Sequence, residues 1–145
     1  MAYFEWADDM EVGHEQIDAD HRRLVEQVNT LHSATREGRG QEVVGALLAE
    51  VVRDTIEHVR REEQFLESIH FPETAGHRQG HERFVQELRA LQTRYEAGQI
   101  TVAAQLSALL RDWLSLHIRR SDKEIRNFLR TTAPRSQRPP RLSRP

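Results

Sequence analysis

Apolar residues recur along this chain at intervals of three and four rather than in alternation. That period lets a helix bury one face, and it argues for helices throughout. Four segments carry it. The first runs from about Ile17 to Glu37, with Ile17, Leu24, Val28 and Leu31 on one stripe, and stops in the breaker REGRG. The second runs from about Gln41 to Ile69 through Leu47, Leu48, Val51, Val52, Val59 and Leu66, and ends at Phe71-Pro72. The third, about Glu73 to Glu96, carries Phe84, Val85, Leu88, Leu91 and Tyr95 before Gly98. The fourth starts behind a candidate cap at Thr101 and reaches about Leu129 through Leu106, Leu109, Leu110, Trp113, Leu114, Ile118 and Ile125.

Short links between long amphipathic helices return the chain beside the helix it has just left. The expected fold is therefore all-α, an antiparallel up-down four-helix bundle over residues 1–131. Residues 1–16 form an N-terminal arm whose Tyr3, Phe4 and Trp6 are apolar enough to lie across the bundle. Residues 132–145 are an Arg/Pro-rich tail that prolines keep from helix, and it is expected to be disordered.

Composition narrows the chemistry. The chain has 145 residues and no cysteine. Disulfides, thiolate metal sites and cysteine nucleophiles are excluded, which leaves His, Asp and Glu as the strong ligands. The formal net charge is −2, and without the four arginines of the tail the body stands at −6. Such a body is not drawn to phosphate backbones, so no nucleic-acid partner is expected. No apolar run approaches the roughly 20 residues that span a bilayer. The acidic start MAYFEWADDMEVGHE is unlike a secretory signal, so the expected location is the cytoplasm and the expected state a monomer. The tail is the one evident docking route for a protein partner.

The histidines fall on the apolar stripes. His21 precedes Leu24, Val28 and Leu31 by three, seven and ten residues; His58 precedes Glu62, Leu66 and Ile69 by four, eight and eleven. His77 and His81 share a face with Phe84, Leu88, Leu91 and Tyr95, and His117 continues the series Leu106, Leu110 and Trp113. A single inward histidine is usually satisfied by a neighbour. Five of them with a glutamate in one small core are costly unless a cation coordinates them. A closed zinc site wants four ligands, whereas this set fits two octahedral-type metals bridged by carboxylates. Neutral imidazoles offset none of the metal charge, so Glu62 needs a second carboxylate, and Asp122 in HIRRSD is the evident one. Five residues place Asp122 about 140° around an α-helix from His117, so either its side chain reaches back or the helix is locally widened.

The ordered set His21, His58-x3-Glu62, His77-x3-His81 and His117-x4-Asp122, with Trp6 and the stretches VGHEQIDADH, HVRREE, FPETAGHRQGH and WLSLHIRRSD, resembles the hemerythrin family in its single-domain bacterial form. The resemblance spans about residues 6–130. It implies two non-haem iron ions with an oxo or hydroxo bridge and dioxygen as a reversible ligand, for oxygen transport, storage or delivery rather than enzymatic turnover. By the same resemblance His77, His81 and His117 hold one iron, His21 and His58 hold the other, and Glu62 and Asp122 bridge them. Leu24, Trp113, Leu114 and Ile118 lie one helical step from these ligands and are expected to wall the oxygen pocket. Alternatives are oxygen or redox sensing through a partner, and peroxide or nitric oxide chemistry. The same ligands would also accept manganese, cobalt or zinc.

The chain departs from the family pattern at His14, where an aliphatic residue is more usual, and at Leu66, where methionine is frequent. His14, His32 and His70 have no motif partner and are assigned to the surface or to supporting hydrogen bonds. Gly76 and Gly80 flank the third-helix ligands; they either loosen that helix or make room for close neighbours.

Overall fold

The computed structural model describes residues 3–39 and 41–132, except for the side chains of residues 120–122 and 132. The Arg/Pro-rich tail beyond residue 132 lies outside the described residues. The elements are a 3₁₀ turn at Asp8–Met10, helix α1 at Glu15–Arg36, α2 at Gln41–Ser68, α3 at Thr74–Glu96, α4 at Val102–Leu116, a π-turn at His117–Ser121 and α5 at Asp122–Thr132. The last three are one rod interrupted by the π-turn, so the architecture is the expected four-helix bundle. α1 packs against α2 and α4, and α3 packs against the same two, which places the helices at the corners of a square.

Sequence punctuation sets the lengths. Gly38 at φ 68° and Gly98 at φ 104° follow the ends of α1 and α3 in the left-handed region, where a side chain is strained. His14 starts α1, its Nδ1 accepting from the Ile17 amide at 3.2 Å. Thr101 does not cap α4: it is itself helical, at φ −65° and ψ −17°, and makes no side-chain bond to the helix. The first amides of α4 are instead satisfied by the preceding turn, Val102 donating to the Gln99 carbonyl and Ala103 to that of Ile100.

The arm lies across the bundle. Asn29 of α1 accepts from the Phe4 amide at 2.7 Å and donates to its carbonyl at 2.8 Å, while Phe4 and Met10 are buried. Asp18 of α1 accepts from the amides of Val12 and Gly13, which fixes the turn into the helix.

The interior is layered. A large apolar core built on Leu24, Val28, Leu31, Leu48, Val51, Leu88, Leu106 and Leu110 fills most of the bundle. A smaller cluster of Leu66, Phe71 and Ile125 closes the opposite end. Between them lies a polar layer that includes His21, His58, Glu62, His81 and His117, all buried. Gly76 and Gly80 do not make room for close neighbours, since a Cβ added at either would meet nothing within 4 Å.

Leu106 is fully buried in the large core, eleven residues from His117. Leu106→Ala is expected to cost about 2–5 kcal/mol of unfolding free energy, read from urea denaturation of metal-free protein, with metal stoichiometry unchanged.

Candidate metal centre

Glu62 is the midpoint of the polar layer, and its two oxygens face two groups of imidazoles. Oε2 lies 3.0 Å from His117 Nε2, 3.2 Å from His58 Nε2 and 3.9 Å from His21 Nε2. Oε1 lies 3.7 Å from His81 Nε2 and 3.9 Å from His77 Nδ1. Donor atoms of His21, His58, Glu62 and His117 form one group, and those of Glu62, His77 and His81 form another, each within a 4.8 Å span. Metal bonds of ~2.1 Å place neighbouring donors about 3 Å apart and opposite ones about 4.2 Å apart, so these spacings suit ions seated on either side of Glu62.

The protonation states suit the same role. Burial, with the charge on His117 beside it, pushes the His81 imidazole down from 6.5 to about 3. Burial and the charges of His58 and His117 likewise hold His21 well below its ordinary value. Neither ring nitrogen of His81 has a hydrogen-bond partner, and neither does Glu62 Oε1. Buried lone pairs without donors cost stability unless something electropositive meets them. Burial alone would raise Glu62, but the charge and hydrogen bond of His117, with the hydrogen bond of His58, keep it well below the usual carboxylate range. A carboxylate and neutral imidazoles, with no thiolate, suit iron and its neighbours in the first transition row.

Residues with no distinctive sequence signal support these groups. Asp20, buried on α1, accepts from both Arg61 Nε and Nη2 at 2.9 Å and from Gln16 at 3.0 Å. Its Oδ2 is 3.2 Å from His58 Nδ1. A carboxylate on that side makes Nδ1 the donor and turns the Nε2 lone pair toward Glu62. Burial lowers His58, but the hydrogen bonds and charges of Asp20 and Glu62 carry it above its ordinary value, so a metal at Nε2 displaces a proton there, while Asp20 at Nδ1 strengthens the ligand. Glu63, raised chiefly by burial, lies 3.6 Å from His81 Nδ1. Asp20 adjoins His21, and Glu63 lies five residues past His58, spacings common on any helix surface, so only the tertiary contact marks them.

Trp113 is sandwiched between Phe84, at 4.0 Å and 6° between ring planes, and His117, at 4.5 Å and 9°. This stack and the bond to Glu62 fix the His117 ring. His117 falls in the donor group of His21 and His58, whereas the resemblance pairs it with His77 and His81; its ring is also 5.2 Å from that of His81. Leu24, Leu114 and Ile118 are buried in the large apolar core, each within one helical turn of His21 or His117 in the chain. The Asp122 side chain lies outside the described residues. Its backbone begins α5 directly after the π-turn, the local widening that a five-residue spacing requires, because a π-turn bonds i to i+5. His14 is spent on its cap and packs on Phe65, His32 stacks on Tyr3 at 3.5 Å, and His70 is exposed at the end of α2.

The hemerythrin HHE cation-binding domain model matches residues 12–129, nearly the whole bundle. The chain belongs to the hemerythrin family. It is 35% identical over 123 residues to a bacteriohemerythrin of Stenotrophomonas maltophilia (strain R551-3), covering 85% of this chain and 79% of that one. A Methylococcus capsulatus bacteriohemerythrin is 28% identical over 106 residues, covering 73% and 80% respectively. A hemerythrin mutant crystal structure superposes with a TM-score of 0.79 at 25% identity, over 85% of this chain and 94% of that one. Among the described residues no helix is long and apolar enough to cross a membrane.

Two predictions follow from this environment. An unfolded imidazole takes a proton near pH 6.5, but that of His81 in the folded protein does so only near pH 3. The unfolded state therefore holds more protons across that window, and stability rises with pH through it. Protonation of His21 and Glu62 acts in the same sense, and His58 opposes it. Calorimetry of metal-free protein is expected to show Tm falling steadily on acidification from about pH 7 to about pH 4. Asp20→Ala strips His58 Nδ1 and Arg61 of their partner; chelator competition is expected to show metal affinity about 10–100-fold lower.

Proposed function

We propose that this hemerythrin-family chain binds dioxygen reversibly at a non-haem di-iron centre, with residues 1–131 as the functional unit. The observation that carries the reading is the placement of the Glu62 oxygens, one toward each imidazole group in a buried layer. The proposed ligands are His21, His58, His77, His81, His117, Glu62 and Asp122. The family resemblance supports iron as the metal and Asp122 as the second bridging carboxylate. When bound, the iron pair would supply the electrons that hold oxygen and take them back on release.

The chain's own residues account for the rest. Asp20, fixed by Arg61, keeps the His58 Nε2 lone pair aimed inward. Trp113 holds the plane of His117. Leu24, Leu114 and Ile118 exclude water beside the imidazoles, and with Trp113 they are the proposed walls of the oxygen pocket. An imidazole-rich donor set is less suited than a carboxylate-rich one to high-valent chemistry, which favours binding over turnover. In this reading the protein is a carrier, store or local donor of oxygen, and it works as a monomer in the cytoplasm.

The deciding measurement is metal content with visible absorption on iron-loaded, anaerobically reduced protein, before and after oxygen is admitted and swept out. The expected result is about two irons per chain and a charge-transfer band that appears with oxygen and leaves with it. Iron without a reversible band overturns the carrier role. His117→Ala is expected to lose stable binding of the pair; an unchanged iron content and spectrum would remove His117 from the site.

A further inference from the structure

Five of the six candidate ligands with described side chains are sealed in. His21, His58 and Glu62 are 0% exposed, His81 4% and His117 6%. His77 is the most accessible of the six, with 9% of its side chain exposed, so an ion bound for the core meets His77 first. The cleft that exposes it is a cavity of about 240 Å³ between α3 and α4, lined by Gly76, His77, Gly80, His81, Trp113, Leu116 and His117. Gly76 and Gly80 form its α3 rim, four residues apart, and each faces open space. Leu116 stands 63% exposed on the opposite wall. Side chains at the two glycines would project into the mouth.

The surroundings favour a cation over other small solutes. Among the described residues, the lining carries no acidic, lysine or arginine side chain, and its polar groups are imidazoles. Glu124 stands outside it, its Oε2 3.9 Å from His77 Nε2, while His77 Nδ1 is 3.9 Å from Glu62 Oε1. His77 thus lies between a half-exposed carboxylate and the buried one at the centre of the site. On its other side the ring meets Phe71 edge-on at 5.4 Å, beside a shallow depression bordered by Glu73 and Glu124. A carboxylate at the edge raises the local concentration of cations, and an imidazole behind it offers a nitrogen ligand.

We propose that the cleft between α3 and α4 is the passage by which divalent metal ions reach and leave the buried ligand layer, kept open by Gly76 and Gly80, with His77 as its first ligand and Glu124, beside His77 but outside the cleft, adding negative potential at the edge. The proposal rests on the metal-binding reading of the layer and adds a route to it. It assigns the two glycines the work of leaving space, which explains their tolerance in a helix they weaken.

The test is the rate of Co²⁺ uptake by metal-free full-length protein, followed by cobalt absorption, together with the rate at which EDTA strips loaded protein. Gly76→Leu/Gly80→Leu is compared with wild type, with Gly76→Ala/Gly80→Ala, and with Glu124→Gln, while circular dichroism monitors folding. The leucine pair is expected to slow uptake and stripping by about an order of magnitude at unchanged stoichiometry, the alanine pair much less. Glu124→Gln is expected to slow uptake about two- to threefold at low salt and less at high salt. Equal rates in wild type and the leucine pair overturn the passage while leaving the metal site standing. Equal slowing by the alanine and leucine pairs also overturns it, because helix stiffness rather than space would then be responsible. If wild-type protein takes up no Co²⁺, the metal-binding reading falls and the passage with it.

Discussion

Burying a carboxylate among imidazoles is the constraint from which the rest of this structure follows. Glu62 is wholly removed from water, and so are His21 and His58. An isolated buried charge is prohibitive, and unpartnered ring nitrogens are expensive. The bundle concentrates this cost in one layer, with a large apolar core on one side and a small apolar cluster on the other. Those two cores hold the helices in register, and the register brings imidazoles from all four rods to a common level.

Within that layer the two sides are built differently. The α1–α2 side is braced: Arg61 clamps Asp20, Asp20 orients His58, and no described ligand there reaches solvent. The α3–α4 side is looser. Neither ring nitrogen of His81 has a hydrogen-bond partner, His77 sits at the edge, and two glycines border a cleft. A braced side preserves geometry and excludes water, whereas an accessible side permits exchange.

The π-turn shows how finely register matters. Residues four apart share an α-helical face, as with His58 and Glu62 or His77 and His81. His117 and Asp122 are five apart, and the intervening π-turn at His117–Ser121 bonds i to i+5, the repeat that such a spacing calls for. Immediately before it, the stack of Phe84, Trp113 and His117 pins the rod to α3.

The sequence by itself determined the helices, their stops at Gly38 and Gly98, and which imidazoles face inward, because helical periodicity and left-handed glycine positions are local properties of the chain. It also contained the spacing conflict at Asp122 and its two possible resolutions. Only the tertiary structure chose the π-turn between them, set His117 between the two imidazole groups, and spent Asp20 on His58 and Arg61. It likewise withdrew Thr101 from the cap of α4 and gave Gly76 and Gly80 to open space rather than to close packing. The physical reason is common to these cases. Each depends on distances between residues far apart in the chain or on how a turn is satisfied by its surroundings, and neither periodicity nor spacing encodes such distances.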